Sequence, residues 1–427
     1  MHPSYVVAVL AGTVSATAIR RLDNGLGKTP ALGWNSWNQG GCDAASASVA
    51  LATAKAFVDR GLKDVGYTYV NIDDCWSAKS RNSSGYLVPD SSKFPKGMKE
   101  LADQIHDLGL KLGLYGDAGT LTCGGYPGSQ GYEQKDAQLL ASWGIDYWKY
   151  DNCYTPCNSG TEQTCSSPAG TSQTWYVKMR DYLLSTNHPI LYSLCNWGRD
   201  DVWTWGASVG NSWRMSIDNW GAWADVVRIA SAAGPIAQYA GPGAFNDLDM
   251  MVGSPNSSIH PCIGHVAHSG LYDDILVQII GNGKLTNAEE RTHFGLWAIT
   301  KSPILMGTDM TTLSTTRLNL IKNKGILAIN QDPLGNAATT FTPSGKSPPV
   351  SGQLYRYWAG KLSDGVVIGL VASDGAETLS VNFADVPDLG SGAYNWIELF
   401  TGSTGSGTSV AASLDSHDMA IYKVTRT

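Results

Sequence analysis

The chain has 427 residues, of which 43% are hydrophobic and 16% are charged. This length fits a large domain with a smaller partner domain, and the hydrophobic content excludes a wholly disordered protein. The net charge is −7 and there is no long Lys/Arg run, which argues against a nucleic-acid partner. No apolar stretch reaches the roughly 18 residues that a membrane span needs, so no membrane association is expected.

The first predicted element is a cleaved export signal over residues 1–18. Residues Val6–Ala18 are apolar or small, and small residues near their end provide a cleavage site. The eight Cys and the glycosylation sequon that begins at Asn82 fit an oxidising secretory route. The sequence therefore predicts a secreted, extracellular protein with a glycan at Asn82.

Between residues 28 and 330, short β-rich runs alternate with helical patterns. The helical segments with an apolar stripe are Ala44–Arg60, Pro95–Leu108, Tyr132–Trp143 and Ala288–Thr300. The predicted strands are Leu32–Trp37, Tyr67–Asp73, Lys111–Tyr115, Ile145–Tyr150, Ile190–Leu194, Ser212–Ile217, Ala244–Met250 and Ile304–Met306. This alternation predicts an α/β fold with a catalytic (β/α)8 TIM-type barrel rather than an open doubly wound sheet.

Nearly every predicted strand ends, on its C-terminal side, in residues suited to chemistry or to sugar binding. These residues are Trp34, Asp73, Asp74, Tyr115, Asp117, Lys149, Asp151, Cys195, Trp197, Arg214, Asp218 and Asp249. In a barrel these strand ends meet at one mouth, where such folds have their active sites. Because so many acids at one end of a core have no structural benefit, the pattern predicts a catalytic mouth.

Residues 331–427 lack helical patterns and contain short alternating runs separated by turn residues. The runs are Leu354–Trp358, Gly365–Val371, Thr378–Val381, Asn395–Glu398 and Met419–Val424. They predict a C-terminal antiparallel β-sandwich. A structural companion of the barrel is favoured over a separate sugar-binding module.

Asp151 is the candidate nucleophile of a glycoside hydrolase, an enzyme class that needs two carboxyl groups. It follows the apolar run Ile145–Tyr150, and the cation of Lys149 should keep it ionised. The alternative is that Asp151 only forms a salt bridge with Lys149.

Asp218 is the candidate general acid/base. It lies four residues beyond Arg214, so it would stand on the loop above the mouth if Arg214 is the last strand residue that points inward. The alternative is that Arg214 and Asp218 form an ordinary surface pair.

Asp73 and Asp74 form an acidic pair at a strand end that suits either two sugar hydroxyls or a metal ion. No His-x-His or His-x-x-x-His pattern accompanies them in the barrel, so a metal site is disfavoured. No GxGxxG fingerprint, P-loop or G-x-S-x-G elbow competes for this mouth. Neither a metal nor a cofactor is expected.

Five ordered motifs resemble glycoside hydrolase family 27. They are Leu32–Trp37 (LGWNSW), Asn71–Trp76 (NIDDCW), Gly113–Gly119 (GLYGDAG), Trp148–Tyr154 (WKYDNCY) and Asn246–Met250 (NDLDM). The resemblance covers roughly residues 28–427 and is greatest to secreted fungal α-galactosidases. It implies a retaining enzyme that removes terminal α-galactosyl residues from oligosaccharides and glycoconjugates by double displacement, with no cofactor.

The resemblance also implies roles for single residues. Asp151 would be the nucleophile and Asp218 the acid/base. Asp73, Asp74 and Lys149 would bind the galactose hydroxyl groups. Arg214 and Asp249 would anchor the sugar ring. The residues that would line the pocket are Trp34, Tyr115, Cys195 and Trp197. The bulk at Cys195 and Trp197 would leave little room at the sugar 2-position, unless Trp197 packs inward.

Other functions remain open on the same scaffold. An α-N-acetylgalactosaminidase or a β-L-arabinopyranosidase would use the same catalytic pair. A catalytically inactive galactose-binding lectin is the alternative from another class, but the presence of both Asp151 and Asp218 argues against it.

Three disulfides are expected. The resemblance implies Cys42–Cys75 and Cys123–Cys153, which would tie loops at the barrel mouth. Cys157 and Cys165 are expected to pair because they close a short loop. Cys195 is expected to be a free pocket thiol, and Cys262 lacks a partner.

Residues 252–278 depart from the family pattern. They contain a sequon at Asn256, three His and Cys262 between two motifs that the family places almost side by side. We favour the hypothesis that they are a retained intron. A loop that selects the leaving group and a metal site made by His260, His265, His268 and Cys262 are the alternatives, of which the metal site is disfavoured.

Overall fold

A computed structural model describes residues 21–156, 158–159, 162–163, 171–252, 285–348, 350 and 352–427. Three sequence-based predictions lie outside these residues. They are the export signal at 1–18, the disulfide Cys157–Cys165, and the nature of the atypical segment from residue 253 onward, including Cys262.

The described residues form strands and helices whose order agrees with a barrel followed by a sandwich. The strands are β1 Leu32–Asn35, β2 Tyr69–Ile72, β3 Lys111–Asp117, β4 Tyr147–Asp151, β5 Asn158–Ser159, β6 Glu162–Gln163, β7 Leu191–Leu194, β8 Ser212–Arg214, β9 Phe245–Asp247, β10 Met251–Val252, β11 Ile304–Gly307, β12 Thr339–Thr340, β13 Tyr357–Leu362, β14 Gly365–Val371, β15 Glu377–Asn382, β16 Tyr394–Glu398, β17 Thr404–Gly407, β18 Ser409–Leu414 and β19 Met419–Arg426. The helices are α1 Trp37–Ala44, α2 Ala47–Asp59, α3 Gly97–Asp107, α4 Glu133–Trp143, α5 Gln173–Ser185, α6 Trp223–Ala233, α7 Asn287–Ile299, α8 Thr315–Ile321 and α9 Lys324–Asn330.

The parallel sheet closes into a barrel. Its order is β10-β11-β1-β2-β3-β4-β7-β8-β9, and the two edge strands β9 and β10 are separated along the chain only by Leu248–Met250. These two pieces together occupy the seventh position, between β8 and β11. The predicted (β/α)8 barrel is therefore confirmed, with one broken strand.

The break corrects the predicted strand Ala244–Met250. Asp249 has a left-handed backbone with φ of 81°, which a strand cannot contain. The carboxylates of Asp247 and Asp249 stabilise the turn, because they accept the backbone N–H groups of Asp249 and Met250 at 2.8 and 2.7 Å. Strand geometry therefore stops at Asp247, and the Asp249 side chain is free to turn into the barrel mouth.

The four predicted helices are confirmed, with small shifts at their ends. The predicted segment Ala44–Arg60 starts later, at Ala47, because the Ser46 hydroxyl caps the helix by accepting the Val49 N–H at 3.3 Å. Helix α7 begins with a capping box at Thr286. Among the described residues, none of the helices combines the length and the apolar character that a bilayer crossing needs.

The predicted antiparallel β-sandwich is also confirmed. One sheet has the order β12-β13-β14-β19-β16-β17, and β15 pairs with β18. Between the two domains, the Arg291 guanidinium on α7 pairs with Asp418 at 2.5 Å, and His417 pairs with Glu289 at 2.7 Å. These contacts hold the sandwich against the barrel.

Candidate active site

The mouth contains an ion pair between two strand ends. Asp73 follows β2, and its Oδ2 atom accepts hydrogen bonds from the Asn35 amide at 2.7 Å and the Lys149 ammonium at 2.8 Å. Burial alone would lower the pKa of Lys149, but the carboxylate of Asp73, with a further contribution from Asp151, raises it well above its ordinary value. The ion pair of Lys149 is therefore with Asp73, which removes the alternative that Asp151 serves only as its salt-bridge partner.

Asp74 is held by backbone donors from a disulfide-linked loop. Its two oxygens accept the N–H groups of Cys75 and Gly124, both at 2.7 Å. Burial raises the pKa of Asp74 to about 6, against the opposing effect of these hydrogen bonds. The predicted disulfides that fix this region are confirmed, and they are Cys42–Cys75 and Cys123–Cys153.

Asp151 ends β4 as a buried carboxyl group in a fixed orientation. One oxygen accepts the Tyr115 hydroxyl at 2.9 Å, and the other accepts the Asn152 N–H at 2.9 Å. Lys149 favours the ionised form of Asp151, as expected, but burial has the larger effect. Burial raises the pKa of Asp151, and Lys149 and Tyr115 only partly oppose this, while Asp218 adds a further rise.

Asp117 is a buried acid beside Asp151 that sequence reasoning noted at a strand end but did not assign to the site. It is the register partner of Asp151 across β3 and β4. Its oxygens accept the N–H groups of Gly119 and Cys153 at 2.8 and 3.0 Å. Burial first, and then the charge of Asp151, raises its pKa well above the ordinary value. The strand register was the signal that could have identified it.

Arg214 links two carboxylates on the opposite side of the mouth. Its Nη2 atom lies 2.9 Å from an oxygen of Asp218 and 2.9 Å from an oxygen of Asp249. The side chain of Arg214 is 5% exposed and that of Asp218 is 48% exposed, so the alternative of a surface pair is wrong. The Asn219 N–H donates to Asp249 at 2.7 Å, which fixes the loop that carries Asp218.

The end of the fifth barrel strand contributes a thiol and an aromatic ring. Cys195 is buried and free, as predicted. Burial raises the pKa of its thiol well above the ordinary value, and the Arg214 Nη1 atom lies 3.8 Å from its sulfur. Trp197 has a left-handed backbone with φ of 61°, and the Arg199 guanidinium lies 5.0 Å from its ring centroid.

The remaining predicted residues differ in exposure. Trp34 is completely buried, and its indole N–H reaches Gln39 and the Thr308 carbonyl, each at 3.0 Å. Asn82 lies exposed in a turn, where its side-chain oxygen accepts the Tyr86 N–H at 2.9 Å. The pocket-lining role of Trp34 and the glycan at Asn82 remain predictions.

One group of three metal-ligand side chains lies together in the part of the chain that the structure describes, namely Asp117, Cys123 and Cys153. The two sulfurs are joined in a disulfide, so they cannot act as thiolate ligands. This group is therefore not a metal site.

The chain matches two family models along most of its length. The model described as alpha galactosidase A matches residues 29–260 and 256–332. The model of the alpha galactosidase C-terminal beta sandwich domain matches residues 352–424.

Individual relatives agree with these models. A probable alpha-galactosidase B of Penicillium simplicissimum is 40% identical over 462 aligned residues, which cover 99% of this chain and 99% of that protein. The structure of alpha-galactosidase I from Mortierella vinacea superposes with a TM-score of 0.80 at 34% identity, covering 95% of this chain and 100% of that one. The α-galactosidase of Saccharomyces cerevisiae with raffinose superposes with a TM-score of 0.77 at 30% identity, covering 95% of this chain and 99% of that one. The chain belongs to the α-galactosidase family of glycoside hydrolases, glycoside hydrolase family 27.

Proposed function

We propose that this protein is a secreted, retaining α-galactosidase in which Asp151 is the nucleophile and Asp218 is the general acid/base. The observation that carries the proposal is the contrast between the two carboxyl groups. Asp151 is buried and fixed by two hydrogen bonds, whereas Asp218 is half exposed and bound to Arg214. Two carboxyl groups in different environments suit the two roles that glycoside hydrolysis requires.

In the first step, the Asp151 carboxylate attacks the anomeric carbon of the bound galactoside. The bond from that carbon to the leaving oxygen breaks, and Asp218 transfers its proton to the departing oxygen. The hydrogen bond from Tyr115 orients the attacking carboxylate. The products of this step are a galactosyl ester on Asp151, a free alcohol and an ionised Asp218.

In the second step, Asp218 acts as a base. It takes a proton from water, the water oxygen attacks the anomeric carbon, and the ester bond to Asp151 breaks. Two inversions give net retention, so α-galactose is released. Arg214, whose Nη2 atom lies 2.9 Å from an oxygen of Asp218, holds this carboxyl group in place for both steps.

Substrate binding is assigned to the polar groups around this pair. The ion pair of Asp73 and Lys149, together with Asp74, offers both acceptors and a cation to neighbouring hydroxyl groups. The relative solved with raffinose supports oligosaccharides that carry an α-galactosyl group as the substrate class. We assign pocket lining to Trp34, Tyr115, Cys195 and Trp197, and ring anchoring to Asp249.

The proposal is tested by comparing p-nitrophenyl α-galactoside with the corresponding α-N-acetylgalactosaminide. We expect hydrolysis of the galactoside and little of the second substrate. Asp151→Asn should abolish turnover while galactose still protects the folded protein against heat. Preference for the N-acetylated sugar would contradict the assigned specificity.

Secretion is part of the proposal. It is supported by the apolar and small residues that precede Ala18 and by the two disulfides, which form in oxidising compartments. Amino-terminal sequencing of protein recovered from culture medium tests it, and recovery of an uncleaved chain only from cells would contradict it.

A further inference from the structure

Two large apolar side chains lie exposed on the loop that carries Asp218. This loop joins β8 to α6, at the end of the barrel where the strand ends meet. Ile217 is 56% exposed and Trp220 is 47% exposed. Within the residues that the structure describes, both side chains are largely uncovered, so they are available to a bound molecule.

The backbone around Trp220 is fixed. The Asn219 N–H donates to Asp249 at 2.7 Å, and the Gly221 N–H donates to the Asn219 side chain at 3.0 Å. The Arg228 guanidinium donates to the Asp218 carbonyl at 2.8 Å. Asn219 and Gly221 are buried on either side, so the indole is held at the surface by anchored neighbours.

We propose that Trp220, with Ile217 beside it, is the binding platform for the sugar ring of the leaving group. This inference rests on the proposed function. Asp218 must reach the glycosidic oxygen to protonate it, and the leaving group is attached to that same oxygen. The leaving ring therefore lies on the side of Asp218, next to the two exposed apolar residues of the same loop, Ile217 and Trp220.

The chemistry of an indole suits this occupant. A sugar ring presents a face of C–H groups, and a half-exposed aromatic ring packs against such a face while its edge stays in water. A leaving group without a ring gains nothing from this contact. The same platform receives an acceptor sugar when the galactosyl ester is attacked by a sugar hydroxyl instead of water, because this transfer is the reverse of the first step.

The experiment compares two substrates that form the same galactosyl ester, raffinose and α-galactosyl fluoride. We expect Trp220→Ala to lower kcat/KM on raffinose about tenfold, and the loss on the fluoride to stay below about twofold. Trp220→Phe should keep most of the raffinose activity because it retains an aromatic face. Leu184→Ala is the matched control, since Leu184 is 45% exposed on α5, and it should leave both substrates unchanged.

A second readout is the transfer of the galactosyl group from α-galactosyl fluoride to added sucrose. Trp220→Ala should reduce the rate of this transfer relative to the rate of hydrolysis. Equal losses on raffinose and on the fluoride, or full raffinose activity in Trp220→Ala, would overturn the inference. Failure of the proposed function gives a different result, because the wild-type protein would then cleave neither substrate.

Discussion

Replacing Tyr115 by Phe should move the acid limb of the activity profile to higher pH. Asp151 must be ionised to attack the substrate, so activity is lost as pH falls through its pKa. Burial raises this pKa, and the hydrogen bond from the Tyr115 hydroxyl is one of the contacts that lower it. Removing the donor leaves the buried carboxylate with less stabilisation, and the pKa must rise further.

The size of the shift follows from the geometry of that contact. The hydroxyl lies 2.9 Å from Asp151 in a buried setting, where a hydrogen bond to a charged group is worth roughly 1.5–3 kcal/mol. One pKa unit corresponds to about 1.4 kcal/mol. The acid limb of kcat/KM should therefore move up by about one to two pH units.

The assay is kcat/KM on p-nitrophenyl α-galactoside, measured across the acid limb for the wild type and the variant. Tyr192→Phe is the matched control, because this buried hydroxyl donates to the Tyr176 carbonyl at 3.2 Å and makes no hydrogen bond to Asp151. The control should keep the wild-type limb. An acid limb that stays in place in Tyr115→Phe, or moves to lower pH, would refute the reasoning.

Three further predictions concern other groups. Burial lowers the pKa of His293 to about 3, and its ring nitrogens have no hydrogen-bond partner within the described ranges. The His293 contribution to the free energy of unfolding should therefore fall as pH drops below about 6.5, by roughly 3 kcal/mol at pH 4.5. Urea titrations should show it as the difference in pH dependence between the wild type and His293→Leu. Lys149→Met should cost about 3–5 kcal/mol of stability by leaving the buried Asp73 unpaired, whereas Lys99→Met on the exposed face of α3 should cost less than about 1 kcal/mol. Asp218→Ala should impair raffinose far more than activated aryl galactosides, with azide restoring the latter, and equal losses without rescue would make Asp218 a structural residue.

The barrel was predictable because its strands are short apolar runs between strongly periodic helices. The seventh strand was extended too far, because Ala244–Met250 contains no Gly or Pro to mark a break. The left-handed turn at Asp249 depends on its contact with Asn219, which is distant in sequence. Strands β17 and β18 were missed because their Gly, Ser, Thr and Ala residues give little apolar alternation.

The residues of the candidate site were predictable because they lie at strand ends. Which of their charged side chains form ion pairs with each other was not predictable. Lys149 stands two residues from Asp151 in sequence, yet its ammonium pairs with Asp73 from a strand two positions away in the barrel. Asp117 became part of the site only through its register with Asp151. Sequence spacing identifies neighbours along the chain, whereas burial and register decide which charges meet and how each pKa moves.

The central claim is double displacement through Asp151, and the stereochemistry of the first-formed product tests it most directly. Proton NMR recorded during early hydrolysis of p-nitrophenyl α-galactoside distinguishes the two anomers of free galactose before they interconvert. The account predicts α-galactose first, with β-galactose appearing later by mutarotation. β-Galactose as the first product would mean a single displacement by water, and it would contradict the role assigned to Asp151.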